Sequence, residues 1–125
     1  MFDLNDLKKC NDTYGHDYGD QYIMMASEIL KKLFALDGKC YRIGGDEFCA
    51  LVPYASQKEI NEKMFMLERY TSEQNRKKFV VPVSIAAGFA VYTKDRDASL
   101  SEAMKRADEM MYEKKQEYKK HSASA

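Results

Sequence analysis

Neither sign of charge dominates this chain: 20 Lys and Arg residues face 20 Asp and Glu residues. Nucleic-acid binders carry a basic excess, so nothing here points to DNA or RNA, and any phosphate ligand must be held by local groups and metal. Cysteine is scarce. Cys10, Cys40 and Cys49 are too few and odd in number for a disulfide framework. Cys49, in an apolar run, reads as a small core residue. A reduced, cytoplasmic setting fits. No apolar run approaches the ~20 residues that span a bilayer, and Met1-Phe2-Asp3 does not open a signal peptide. This domain is therefore expected to make no membrane contact, leaving open an anchor elsewhere in a parent protein. There is no internal repeat and no linker. At 125 residues the chain is one domain, large enough for its own core.

What is present is a regular alternation of elements. Met1 to Leu4 reads as a strand end. Asn5 to Asp12 reads as a short helix broken near Gly15. His16 to about Ala35 reads as a long helix, with Tyr22, Ile23, Ala26, Ile29, Leu30 and Leu33 at helical spacing; Asp37-Gly38 ends it. Cys40–Gly44 and Glu47–Val52 read as a hairpin. Ser56-Gln57-Lys58-Glu59 is a capping box opening a second long helix, with Ile60, Met64 and Leu67 on one face. Val80 to Val91 reads as a long strand, bulged or bent near Gly88. Ser99-Leu100-Ser101-Glu102 is a second capping box, and Leu100, Ala103, Met104, Ala107 and Met111 line one stripe of the helix it opens. Residues 120–125 are expected to fray. The order β-α-β-β-α-β-α predicts a ferredoxin-like α+β fold, an antiparallel sheet with helices on one face.

The chemically informative stretch is Arg42-Ile43-Gly44-Gly45-Asp46-Glu47-Phe48. Two glycines precede two carboxylates at a hairpin turn. Glycine lets a ligand or another backbone approach closely. Two bare acids at a turn repel each other, and a metal ion carrying a phosphate would neutralise them. Asp3 ends the first strand; paired beside the hairpin, its carboxylate would face Asp46. On the residues alone another reading stays open, with Asp3 a helix N-cap and Asp46-Glu47 a solvated turn.

The heptad resembles the signature of the GGDEF family, the diguanylate cyclase domains that condense GTP into cyclic di-GMP. The run Phe2-Asp3-Leu4-Asn5-Asp6-Leu7-Lys8-Lys9-Cys10-Asn11-Asp12-Thr13-Tyr14-Gly15-His16-Asp17-Tyr18-Gly19-Asp20 is similar to a second signature of that family. Arg106-Ala107-Asp108-Glu109-Met110-Met111-Tyr112-Glu113-Lys114-Lys115 is similar to a third. They occur in the family's order over nearly the whole chain. The resemblance implies a palm-like fold over residues 1–119, with the Gly-Gly-Asp-Glu-Phe run at a β-hairpin turn. It also implies a departure, because the family domain starts some tens of residues earlier, so the chain reads as a fragment of a longer protein.

By the same resemblance Asp3, the Leu4 carbonyl and Asp46 bind metal, Mg²⁺ or Mn²⁺, and Glu47 assists at a second metal; Asp46 and Glu47 are the catalytic pair. Lys8, at the expected start of a helix where free N–H groups favour anions, and Lys115 are implied phosphate contacts, with Lys119 a weaker one. Gly44 and Gly45 border the substrate. Arg42 supports the acids or the partner nucleotide, or is an ordinary strand-surface arginine. Asn11 and Asp20 are the implied guanine readers, since a carboxylate can accept from N1–H and N2–H₂ together; both also suit plain turn chemistry. His16 is given no catalytic role, and the Met and Tyr positions on the helices read as core. The implied activity joins two GTP across a homodimer, with sensory or other regulatory domains in the parent protein. The rival is a non-catalytic GTP-binding or dimerisation module that regulates an attached domain. No allosteric product site is expected: the family builds one on Arg-x-x-Asp shortly before the two glycines, and this chain has Ala35-Leu36-Asp37-Gly38-Lys39 there.

Overall fold

The computed structural model describes residues 1–124, and side chains as far as His121. The elements in order are β1 (Phe2–Leu4), α1 (Leu7–Tyr14), α2 (His16–Phe34), β2 (Lys39–Arg42), β3 (Glu47–Leu51), α3 (Gln57–Asn75), β4 (Ile85–Ala87) and α4 (Leu100–Ser124). The sheet order is β2-β3-β1-β4 and every pair is antiparallel. This is the expected α+β arrangement, with the first strand inserted between the hairpin and the last strand.

β1 alternates strictly because strand side chains have a period of two. Phe2 and Leu4 are buried in one core with α1, α2 and α3, where the Phe2 and Phe34 rings meet at 5.8 Å. Asp3 points the other way. On its face lie Ala86, its partner on β4, and the buried Ala103, Ala107 and Met111 of α4. The close approach of α4 to β4 depends on Gly88. A Cβ there would sit 2.0 Å from the Ala107 carbonyl oxygen and 2.3 Å from the Met111 nitrogen. Helices therefore cover both faces of the sheet, not one as expected. The single apolar stripe of α4 packs on the face opposite α2.

The long strand expected over Val80–Val91 is also corrected. Only Ile85–Ala87 pairs, because β1 offers three residues to pair with. The segment before it is held at Ser84, whose carbonyl accepts from Asn5 N at 2.8 Å, and then by a side chain. Asn75 Oδ1 accepts from Val83 N at 2.7 Å, and Asn75 Nδ2 donates to Val83 O. After β4, Gly88 exchanges hydrogen bonds with Met1, at 2.9 Å in each direction. Beyond that the chain turns through Thr93–Asp97. There Arg106 of α4 reaches the buried Asp97 carboxylate and the Val91 carbonyl. An apolar cavity of about 480 Å³ lies between Cys49–Val52 and Gly88–Tyr92, with Ala103, Met104 and Ala107 on its wall.

α1 begins two residues later than expected because Asp6, its N-cap, takes a left-handed turn at φ 63. Gly15, at φ 98, breaks it from α2. The Ser56 capping box forms, with Ser56 Oγ accepting from Glu59 N at 3.2 Å. At α4 the Glu102 carboxylate instead caps Ala98 N at 2.9 Å. α4 runs to Ser124, so most of the segment expected to fray continues the helix, and Ala125 lies outside the described residues. Cys10 and Cys49 are buried and all three cysteines are free. No helix among the described residues is long and apolar enough to cross a membrane.

Candidate active site

Pairing of β1 with β3 builds the site. Asp3 stands opposite Glu47, and Leu4 N donates to the Asp46 carbonyl at 2.9 Å. This register draws Asp3, Asp46 and Glu47 together, each offering a carboxylate oxygen within 4.8 Å of the others. Asp3 is buried, while Asp46 and Glu47 are half-buried. Burial first, and then the neighbouring Asp46, push the Asp3 carboxyl above its ordinary value; Lys115 pulls the other way.

Lys115 enters this cluster from α4. Its Nζ lies 2.8 Å from Asp3 Oδ1, 3.8 Å from Asp46 Oδ2 and 3.4 Å from the Leu4 carbonyl oxygen. Its contact with Asp3 Oδ1 is an ion pair, and that buried oxygen takes no hydrogen bond of good geometry. A hard divalent cation favours such a set: carboxylates, a backbone carbonyl and an under-used oxygen, open to solvent on the Asp46 side. The residues present therefore fit a Mg²⁺ or Mn²⁺ ion.

The hairpin turn is shaped by Arg42. Its Nε donates to Gly44 O at 3.1 Å and its Nη2 to Gly45 O at 2.9 Å. Arg42 thus clamps the turn backbone, and among the described residues it forms no ion pair with the acids. Neither Gly44 nor Gly45 has a positive φ. An added Cβ would meet nothing within 4 Å at Gly45 and only Glu47, at 3.6 Å, at Gly44. The two glycines leave open space beside the acids, as a bound ligand would need.

The opposite end of β1 leads into α1. Lys8 is exposed in its first turn, where N–H groups are free of partners. The α1–α2 hairpin brings Asn11 onto Gly19. A Cβ on Gly19 would lie 1.6 Å from Asn11 Oδ1, so this side chain rests on the glycine, next to the exposed Asp20. Lys119 is exposed one turn beyond Lys115. His16 is exposed at the start of α2.

Some supporting residues escaped the sequence reading. Tyr22 OH donates to Asn5 O at 2.6 Å and accepts from Ser84 N at 3.0 Å, while Asn5 Nδ2 donates to Ser84 Oγ at 2.9 Å. Burial drives the Tyr22 phenol far above its ordinary value, so it stays a neutral donor. Tyr118 OH donates to Asp6 Oδ2 and ties α4 to the turn that follows β1. Only the helical spacing of Tyr22 could have been read beforehand; that its hydroxyl ends at Asn5 could not. Tyr14 and Tyr18, expected in the core, are exposed, their rings 6.0 Å apart, with Phe79 against Tyr18.

The family model for the diguanylate cyclase GGDEF domain matches residues 1–121. Diguanylate cyclase VdcA of Vibrio cholerae is 34% identical over 119 residues, which cover 92% of this chain and 35% of that protein. The chain thus spans about a third of this relative's length. Among solved structures, the GGDEF domain of DgcB from Caulobacter crescentus in complex with c-di-GMP superposes with a TM-score of 0.80 at 25% identity, covering 92% of this chain and 69% of that one. The active GGEEF domain of a Vibrio cholerae diguanylate cyclase shares the fold, with a TM-score of 0.78 at 20% identity over 90% of this chain and 71% of that one. The three signatures, the palm-like sheet and the match over residues 1–121 establish that this chain belongs to the GGDEF domain family of diguanylate cyclases.

Proposed function

We propose that this chain is one half-site of a diguanylate cyclase, binding one GTP and acting across a homodimer. The observation that carries the proposal is the meeting of Asp3, Asp46 and Glu47 within 4.8 Å. The Leu4 carbonyl lies close enough to share a cation with them. These groups would hold Mg²⁺ or Mn²⁺, which lowers the pKa of a ribose hydroxyl and offsets charge on a reacting phosphate.

The chain's own residues position the nucleotide. Lys115 supplies a point charge to the phosphates, and Lys8 with the free N–H groups of α1 supplies a second anion-binding element. Gly44 and Gly45 leave room beside the acids. Arg42 keeps the turn in shape. Asn11 and Asp20 read the guanine edge. Each 3′-hydroxyl attacks the α-phosphorus of the other GTP, losing its proton to solvent and forming a P–O3′ bond as the bond to pyrophosphate breaks. Two such steps consume two GTP and give one cyclic di-GMP and two pyrophosphates. One chain offers one half of this geometry, so two copies must face each other.

A pyrophosphate-release assay with GTP and Mg²⁺ tests the reading. Two pyrophosphates per cyclic di-GMP are expected. GTP binding without any turnover would favour the alternative, a non-catalytic GTP-binding or dimerisation module regulating an attached domain.

A further inference from the structure

We propose that Lys115 is a tethered cation which competes with the divalent ion for one set of oxygens, so that ion binding is coupled to nucleotide binding. The inference rests on the metal-centre reading above and goes beyond a phosphate contact. Its ground is position. The Lys115 ammonium sits among Asp3 Oδ1 at 2.8 Å, the Leu4 carbonyl at 3.4 Å and Asp46 Oδ2 at 3.8 Å. Those three oxygens belong to the proposed ion-binding set. An ion bound to them at its usual ~2.0–2.1 Å would lie within a few ångströms of the ammonium. Two cations that close, in a site where the lysine and Asp3 side chains are 18% and 10% exposed, repel strongly.

The ion must therefore expel the ammonium. The lysine can leave without moving its helix. α4 is fixed one turn earlier by the buried Met111 and one turn later by Tyr118 against Asp6, while four methylenes let Nζ swing. An expelled ammonium has lost its carboxylate partner. A nucleotide phosphate arriving with the ion supplies a new one. Ion alone should then bind weakly, and ion with nucleotide well, which is a coupling free energy carried by one side chain. The tether also compensates the acids of the ion-free chain, where Asp3 would otherwise be a buried charge without a partner.

The test is a Mn²⁺ titration of the nucleotide-free chain, read by the EPR signal of free Mn²⁺. It compares the parent with Lys115→Met, Lys115→Gln, Lys115→Arg and Asp46→Asn, each first checked for folding by circular dichroism. Lys115→Met and Lys115→Gln should bind Mn²⁺ more tightly than the parent by about fivefold or more, the lower end of typical couplings. Lys115→Arg keeps the charge and should bind as weakly as the parent, and Asp46→Asn more weakly still. Unchanged or weaker binding in the Met and Gln variants would overturn the tether and leave the metal centre standing. Arginine behaving like methionine would also overturn it, because the effect would not be one of charge. No Mn²⁺ binding by the parent or by any variant would remove the metal centre and the tether together.

Discussion

At the scale of single residues, what matches a family motif was legible and what rests on approach through space was not. Asp3, Asp46 and Glu47 were marked out by the likeness of their motifs to the family signatures, since on type and spacing alone a helix N-cap and a solvated turn stayed open; the fold brings the three within 4.8 Å. Arg42 was ambiguous, since a strand arginine has several partners in reach and only the folded turn shows that it takes the Gly44 and Gly45 carbonyls. The placement of Lys115 between Asp3 and Asp46 joins α4 to β1 and to the hairpin turn across long stretches of sequence, and no local pattern encodes it. Asp20 is exposed, so the penalty for the wrong base arises only once a base covers it. An unsatisfied polar group costs about 1–3 kcal/mol when buried, and GTP should therefore bind about tenfold more tightly than ATP. Asp20→Ser should shrink that preference, because a hydroxyl both donates and accepts. Paired GTP and ATP titrations with Mg²⁺ measure it; equal affinity of the parent for both nucleotides would leave Asp20 as a turn former.

A second expectation at this scale concerns acid. Asp97 is buried, and the Arg106 guanidinium, then the Thr93 N–H, hold its carboxyl below the ordinary 3.8. A depressed folded-state pKa gives stability that is present above the unfolded value and lost as pH falls through the folded one. Asp97→Asn removes that contribution at every pH. Its melting temperature should lie below the parent's at neutral pH, and the gap should narrow below about pH 3.8. A gap that stays constant down to pH 2 would show that the ion pair is not its source.

Among the elements, the helices and the hairpin were legible because each carries its own periodicity and its own stop. α2 ends where Leu36-Asp37-Gly38 follows it, and α3 starts at the Ser56 cap. The expected strand over Val80–Val91 was not. β-branched residues mark fitness for a half-buried surface, not the presence of a neighbour, and β1 gives that segment three residues to pair with. The side of the sheet on which α4 packs was also hidden, since β1 is too short for its alternation to assign faces. Gly88 is what allows that packing. Gly88→Ala should place a Cβ 2.0 Å from the Ala107 carbonyl and 2.9 Å from Met111 Cα, backbone that can yield only by shifting α4. Overpacking of this kind costs about 1–3 kcal/mol. A lower melting temperature is expected, together with impaired turnover, because Lys115 lies one turn beyond Met111. An unchanged melting temperature would mean that the helix has slack against β4.

For the whole molecule, the family and the palm-like sheet followed from three motifs in order, while the pairing of two such molecules lies beyond any single chain. The absence of Arg-x-x-Asp before the two glycines leads us to expect initial rates unaffected by added cyclic di-GMP at low micromolar concentration. Lys39 cannot replace an arginine's bidentate grip. Strong non-competitive inhibition there would contradict this. The central claim is that the acids drawn together by β1 and β3 form a half-site that turns over only in pairs. Its most direct test is the specific rate of cyclic di-GMP formation from GTP and Mg²⁺ as a function of chain concentration, in the parent and in Asp46→Ala. Asp46 is half-buried beside the exposed Gly44 and Gly45 and belongs to no core cluster, so the variant should keep the parent's fold by circular dichroism. The parent's specific rate should rise with concentration as protomers pair, and Asp46→Ala should form no product at any concentration. Product formed by Asp46→Ala at the parental rate would contradict the assignment.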